Sequence, residues 1–264
     1  MNELTIVKIG GNIIDSKENL NSFLQKFNTI QGAKILVHGG GKIATEISSR
    51  LGIEANMVNG RRITDLQTLE IVVMVYSGIN KSIAAQLNAG GIKSVGVCGA
   101  DINLIPAKKR TKGDIDYGFV GDVLADEMKT GNWQLLLDAG ICPVVAPITA
   151  DSSGQLLNTN ADTIASSVAQ ALSHIYNVKL IYCFEKKGVL RNPVDEDSVI
   201  SKIGIEEYES LKAQKIISDG MIPKLDNAFD ALKQSVSKVI IGHALHIEKL
   251  TDMTHETGTL LTLV

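Results

Sequence analysis

Only three cysteines stand in 264 residues, at Cys98, Cys142 and Cys183, and no two are close in sequence. An odd, widely spaced set argues against a disulfide framework and against a cysteine zinc site. Each lies in or beside an apolar, strand-like stretch and reads as a buried reduced thiol. His38, His174, His243, His246 and His255 are scattered without ligand spacing, so no protein metal site is expected. Cationic excess is missing as well. The formal net charge is −3, whereas a nucleic-acid or anionic-membrane binder would need a basic face. The apolar stretch 135–148 is broken by Asp138, Gly140, Pro143 and Pro147, and is too short to span a bilayer. The opening MNELTIVKIGG lacks a cationic segment followed by a long apolar one. No secretory signal is expected, and the reading is a cytoplasmic protein. A GxxxxGK[ST] P-loop, an interdomain linker and internal repeats are all absent from the sequence.

What is present is alternation. The chain is 44% apolar, enough for one large domain or two lobes sharing a sheet. Short β-branched runs at 4–9, 34–37, 93–98, 142–146, 179–184 and 238–241 read as strands. Most are apolar on both faces, which suits central strands covered by helices on both sides. Between them, helical periodicity appears near 17–29, 41–51, 65–89, 131–139, 160–172, 205–214 and 221–235. This is the pattern of an α/β fold with a largely parallel sheet. Three hairpins are expected. One turns at Asn59-Gly60, one joins 103–107 to 117–120, and one joins 144–148 to 155–158. A join between two lobes is expected at 172–177, after the helix that starts at Ala161.

Five stretches carry chemistry. Lys8 ends an apolar strand and is followed by Gly10 and Gly11. Ligands of open α/β sheets bind at strand carboxyl ends, and glycines let backbone N–H groups approach phosphate oxygens. A strand-end lysine snorkelling to water is the plain alternative. His38-Gly39-Gly40-Gly41-Lys42 again joins a strand to a helix start, a place that favours anions. Gly39, Gly41 and Ala44 also fit a relaxed dinucleotide fingerprint, but Glu54 and Asp65 are poor matches to its acidic residue. Arg61 and Arg62 follow the tight turn and could clamp a carboxylate. On a pleated strand, neighbours point to opposite faces, so one of the two is expected to face a ligand. In Asn158-Thr159-Asn160-Ala161-Asp162, capping explains Asn160 and Asp162 but not Asn158. In Ser218-Asp219-Gly220-Met221-Ile222-Pro223-Lys224, Pro223 suits a helix start. Lys224 is unfavourable for the dipole there unless an anion joins it.

Taken in order, KIGG, HGGG, NGRRIT, NTNADT and DGMIPK resemble the amino acid kinase family, over residues 6 to about 260. The resemblance implies an open, mostly parallel sheet of about eight strands in a three-layer αβα sandwich. It implies an N-terminal lobe, 1–173, for an acyl amino acid and dimerisation, and a C-terminal lobe, 174–264, for ATP. The implied unit is a homodimer. The implied activity is transfer of the ATP γ-phosphoryl group to the side-chain carboxylate of an N-acylglutamate, N-acetylglutamate before N-succinylglutamate. The product is an acyl phosphate, in the second step of arginine biosynthesis. Mg²⁺ would be held mainly by the nucleotide phosphates. On matching positions, Lys8 and Lys224 neutralise the transferred group and Asp162 orients them. Gly40 and Gly41 bind the attacked carboxylate, Arg62 the α-carboxylate, and Asn158 the acyl-amide end. Gly10 and Gly11 lie against the phosphates. Glu185, Gly188, Ile217, Asp219 and Gly220 line the nucleotide.

The sequence departs from the family pattern in one place. Where a Ser/Thr-Asp-x-x-Gly stretch is usual, it reads Phe184-Glu185-Lys186-Lys187-Gly188. The first strand begins by about Leu4, without the N-terminal helix of arginine-inhibited hexameric relatives, so a dimer without that feedback is expected. Competing readings are a same-fold kinase for carbamate, aspartate, glutamate or UMP, a non-catalytic regulatory binding protein, and a nicotinamide-dependent oxidoreductase.

Overall fold

The computed structural model describes residues 1–58, 60–111, 113–192, 194–217, 221–252 and 257–264. The strands are β1 (Asn2–Ile9), β2 (Ala33–His38), β3 (Met57–Val58), β4 (Arg61–Arg62), β5 (Ser94–Val97), β6 (Ala107–Lys109) and β7 (Gly121–Val123). They continue as β8 (Cys142–Val145), β9 (Ile148–Ala150), β10 (Leu156–Asn158), β11 (Tyr176–Phe184), β12 (Lys202–Gly204), β13 (Lys238–His243) and β14 (Thr259–Thr262). The helices are α1 (Gly11–Ile14), α2 (Lys17–Asn28), α3 (Gly41–Arg50), α4 (Leu66–Ala89), α5 (Thr130–Leu137), α6 (Ala161–Leu172), α7 (Ile205–Ala213), α8 (Ile222–Lys233) and α9 (Ile247–Asp252).

Eight strands form one sheet in the order β12-β14-β13-β11-β1-β2-β8-β5. The pairings from β13 to β5 are parallel, and β14 runs antiparallel to β13. The sheet runs unbroken across the expected join, because β1 and β11 are in register from Asn2↔Tyr176 to Ile9↔Cys183.

Alternation along β1 decides which layer each side chain enters. Leu4 and Ile6 pack with Val168, Leu172 and Phe229 of α6 and α8. Val7 and Ile9 pack with Phe23, Phe27 and Ile83 of α2 and α4. Lys8 follows the even parity and emerges on the α6–α8 face. On the neighbouring β11, Tyr182 shares the layer of Leu180, and Cys183 the opposite layer with Ile181. The helices are placed by caps and stripes. Ser16 accepts from Asn19 N–H at 3.2 Å, and Leu20, Phe23, Leu24 and Phe27 form the buried stripe of α2. Asp65 caps α4 by accepting from Thr68 N–H at 2.8 Å.

The six strands expected from the sequence are all in this sheet, and the seven expected helices are present. Two hairpins lie elsewhere than expected. Segment 117–120 does not pair with 103–107, because Thr64 takes it: Thr64 N–H donates to the Tyr117 carbonyl at 2.9 Å and Phe119 N–H to the Thr64 carbonyl at 2.7 Å. The ribbon forms instead between β6 and β7. Likewise β8 stays in the main sheet, and the later hairpin pairs β9 with β10. Arg61 and Arg62 pair with Val58 and Met57 as expected, although Asn59 of that turn lies outside the described residues. Among the described residues, no helix is long and apolar enough to cross a membrane.

Candidate active site

β1 has β2 on one side and β11 on the other; the chain runs from β1 to β2 but from β11 to β12 and β13, away from β1. A crevice opens at such a switch point, outside the strand carboxyl ends. Two cavities that share Lys8 lie at it, and a third lies against the segment that follows β11.

The first, of about 210 Å³, lies between Gly39–Gly41, Arg61, Arg62, Tyr76 and the segment Asn158–Asp162, with Lys8 at its end. Gly40 adopts φ 152°, and a Cβ there would sit 2.8 Å from the Ile79 side chain and 3.1 Å from the Tyr76 ring. Only glycine fits this turn. Behind it His38 is fully buried. Its Nδ1–H donates to the Gly39 carbonyl at 2.6 Å, and its Nε2 accepts from Asn80 Nδ2 at 3.1 Å. Desolvation lowers its pKa to about 4, so the ring is neutral near pH 7. Asn80 also donates to the Val144 carbonyl at 2.8 Å, fastening α4 to β8 beside the glycine turn.

Arg62 is buried at the opposite wall. Its Nη2 donates to the Gly41 carbonyl at 2.8 Å and to Thr45 Oγ1 at 2.7 Å, while Nη1 has no hydrogen-bond partner. A buried guanidinium with spare donors suits a carboxylate ligand. The adjacent Arg61 lines the same cavity. Of the two, Arg61 is half-buried and Arg62 buried. Asn158 Nδ2 donates to Thr64 Oγ1 at 3.1 Å, which holds its side chain against the floor.

At the inner end, Lys8 Nζ lies 2.7 Å from Asp162 Oδ1, with both side chains nearly out of water. Asp162 is fixed by the start of α6, where Asn160 Oδ1 accepts from its N–H at 2.7 Å. Lys224, in the first turn of α8, faces the same group. Burial lowers its pKa, Asp162 opposes that shift, Lys8 adds to it and Glu185 opposes it. The Phe184 ring lies beneath both ammonium groups, its centroid 4.3 Å from Lys224 Nζ and 5.8 Å from Lys8 Nζ.

Lys8 also lines the second cavity, of about 200 Å³, with Gly10, Gly11, Asn12, Phe184, Glu185 and Lys224. Asn12 donates to Glu185, so the loop after β1 is tied to the end of β11. Lys42 lies 3.5 Å from Asp15, which links the two glycine turns. A third cavity, of about 160 Å³, is lined by Lys186, Gly188, Val189, Leu190, Ile216, Ile217 and Met221. Lys186 and Lys187 meet Glu196 at 2.8 Å and Asp197 at 2.6 Å. Those exposed pairs neutralise the added charge.

The expected residues therefore fall into three groups. Gly40, Gly41, Arg62 and Asn158 line the first cavity; Gly10, Gly11, Glu185 and Lys224 the second; Gly188 and Ile217 the third. Lys8 belongs to the first two, and Asp162 lines the first. Asp219 and Gly220 lie outside the described residues. Tyr76, Asn80 and Phe184 were not expected at the site. The first two sit mid-helix in an apolar run with no local signal, whereas the departure at Phe184 was visible.

A model of the amino acid kinase family matches residues 3–243. The acetylglutamate kinase of Cytophaga hutchinsonii is 54% identical over 263 residues, 99% of this chain and 99% of that protein. The acetylglutamate kinase of Phocaeicola vulgatus is 52% identical over 240 residues, 90% of this chain and 93% of that protein. Among solved structures, smu.665 from Streptococcus mutans UA159 is 26% identical with a TM-score of 0.76, over 99% of both chains.

Proposed function

The chain belongs to the amino acid kinase family, and on that premise we propose that it phosphorylates the side-chain carboxylate of N-acetylglutamate with ATP, the second step of arginine biosynthesis. The observation that carries the mechanism is the position of Lys8, paired to Asp162 at 2.7 Å on the wall common to the first two cavities. An acceptor carboxylate is already an anion, so no base has to remove a proton. The task is to bring two anions together and spread the transition-state charge.

Acceptor and donor then approach from opposite sides of Lys8. In the first cavity Arg62 grips the α-carboxylate, Asn158 meets the acyl-amide end, and the Gly40 and Gly41 N–H groups hold the attacked carboxylate. In the second, Gly10 and Gly11 lie against the ATP phosphates and Lys224 neutralises the moving group. The base and ribose occupy the third cavity, against Gly188 and Ile217. Every residue named for the first cavity precedes 174, and every one for the third follows it. This supports an acyl-amino-acid lobe at 1–173 and an ATP lobe at 174–264.

Among the described residues, no group of three or more His, Cys, Asp or Glu side chains could cage a metal ion. The residues fit a Mg²⁺ that enters on the nucleotide phosphates, where it supplies charge neutralisation. The reading places the protein in the cytoplasm, with its ATP, as a homodimer.

A second acceptor has one observation in its favour. Arg61 adds a second cation to the wall of the first cavity, and a succinyl group would bring a second carboxylate to it. Both acceptors are separated by one experiment, ATP-dependent acyl-phosphate formation trapped with hydroxylamine. N-acetylglutamate, N-succinylglutamate, glutamate and aspartate are run in parallel. Turnover of an N-acylglutamate and not of the free amino acids supports the reading; no turnover with any of the four defeats it.

A further inference from the structure

The phosphotransferase reading assigns work to Lys8, Asp162 and Lys224 but none to the aromatic side chain beside them. Two cations share this space, with Asp162 paired to Lys8. The two ammonium groups repel each other, Asp162 and Glu185 favour the charged form of Lys224, and burial disfavours it.

Phe184 occupies the position where that repulsion is felt. It is the last residue of β11, and alternation puts it on the face of Tyr182, whose register partner across the ladder is Lys8. Its ring therefore lies on the same side of the sheet as the Lys8 side chain. The negative face of an aromatic ring attracts an ammonium group within about 6 Å of its centroid, more strongly where water is excluded. Both lysines satisfy this, at 4.3 Å for Lys224 and 5.8 Å for Lys8. The ring is held in turn. It stacks on Tyr182 with centroids 6.5 Å apart and planes 7° apart, and the Tyr182 hydroxyl donates to the Asp162 backbone carbonyl at 3.3 Å. Tyr182 and Phe184 thus form a column running from the backbone that carries the carboxylate to the underside of the two ammonium groups.

We propose that Phe184 is a positioning residue for phosphoryl transfer, its ring face holding the Lys8 and Lys224 ammonium groups aimed at the second cavity. The inference rests on the phosphotransferase reading and deepens it. It gives a purpose to the sequence departure, since a serine or threonine at this place has no ring face to offer two cations.

The experiment compares Phe184→Leu, Phe184→Met and Phe184→Tyr with the unaltered chain in the hydroxylamine assay, with pH profiles and melting curves for each. Leucine and methionine keep apolar bulk and remove the ring; methionine, being unbranched, refills the space if leucine fails to fold. Tyrosine keeps the ring. The expected result is a roughly 10-fold fall in kcat for the two aliphatic variants, with KM for both substrates changed by less than about 3-fold. Tyrosine retains most of kcat. The pH profile adds a readout that packing alone would not move. The charged groups facing Lys224 are Asp162 from α6, Lys8 from β1 and Glu185 just beyond β11, and none of them changes in these variants. Losing the ring face disfavours the ammonium form of Lys224, so the alkaline limb of kcat moves to lower pH in the aliphatic variants and stays in place with tyrosine. An aliphatic variant with unaltered kcat and alkaline limb overturns the inference, as does a tyrosine variant that falls as far as leucine. If the unaltered chain turns over no N-acylglutamate, the underlying reading fails instead, and the two failures are told apart in the first measurement.

Discussion

The Lys8 ammonium and the Asp162 carboxylate meet at 2.7 Å, one from the penultimate residue of β1 and the other from the first turn of α6. Both elements point their ends into the crevice, so the pair is set by the sheet and not by a loop. Replacing either lysine of the site removes charge that acts mostly in the transition state. Lys8→Ala and Lys224→Ala each lower kcat by roughly 10²–10³-fold, with a smaller change in KM. Near-normal turnover in both variants, measured by hydroxamate formation, removes the proposed mechanism.

Arg62 spends two hydrogen bonds on Gly41 and Thr45 and keeps Nη1 free. Arg62→Ala raises KM for the acyl amino acid by roughly 10- to 100-fold and leaves KM for ATP nearly unchanged. An effect confined to ATP would mean that the two cavities have been assigned the wrong way round.

Gly40 cannot carry a side chain without moving Ile79 or Tyr76, and its φ of 152° is strained for any other residue. Gly40→Ala destabilises the fold by about 1–3 kcal/mol and lowers turnover. Thermal melting within a degree of the unaltered chain contradicts this.

His38 supplies a pH dependence of stability. An unfolded chain takes up a proton at this histidine near pH 6.5, whereas the folded chain resists until about 4. Between those values the unfolded state binds more protons, so stability falls as the pH drops from 6.5 to 4, by about 3 kcal/mol. Denaturant titrations of the unaltered chain and of His38→Gln, compared across that window, isolate the effect. His243 and His246, whose pKa values burial also lowers, are present in both and cancel. Identical slopes for the two proteins refute the assignment.

The homodimer is checked by sedimentation equilibrium, which is expected to return the mass of two chains. A monomer or a hexamer rules it out.

The central strands were legible because β1, β2, β8, β11 and β13 are apolar on both faces, a pattern that needs helices on both sides. The short strands β12, at the sheet edge, and β14, beside it, were not. They are three and four residues long and depend on their neighbours for pairing. The misplaced β6–β7 hairpin has a similar cause, since Thr64 lies far along the chain from Tyr117 and captures it through backbone groups that sequence patterns do not reveal. At the site, glycine turns and strand-end lysines announce themselves by residue type. Asn80 and Tyr76 act through positions that only the packing of α4 over β2 and β8 defines.

Because β1 lies at the centre of the sheet, its two edges are covered at very different moments of synthesis. Ala33–His38 follows within a few dozen residues, but the other edge waits for Tyr176–Phe184. At about 5–20 residues per second on the ribosome, that is roughly ten to thirty seconds during which an apolar strand has an open edge. The nascent chain is most exposed to wrong pairing in that interval. Lys8 has no finished surroundings before the interval ends.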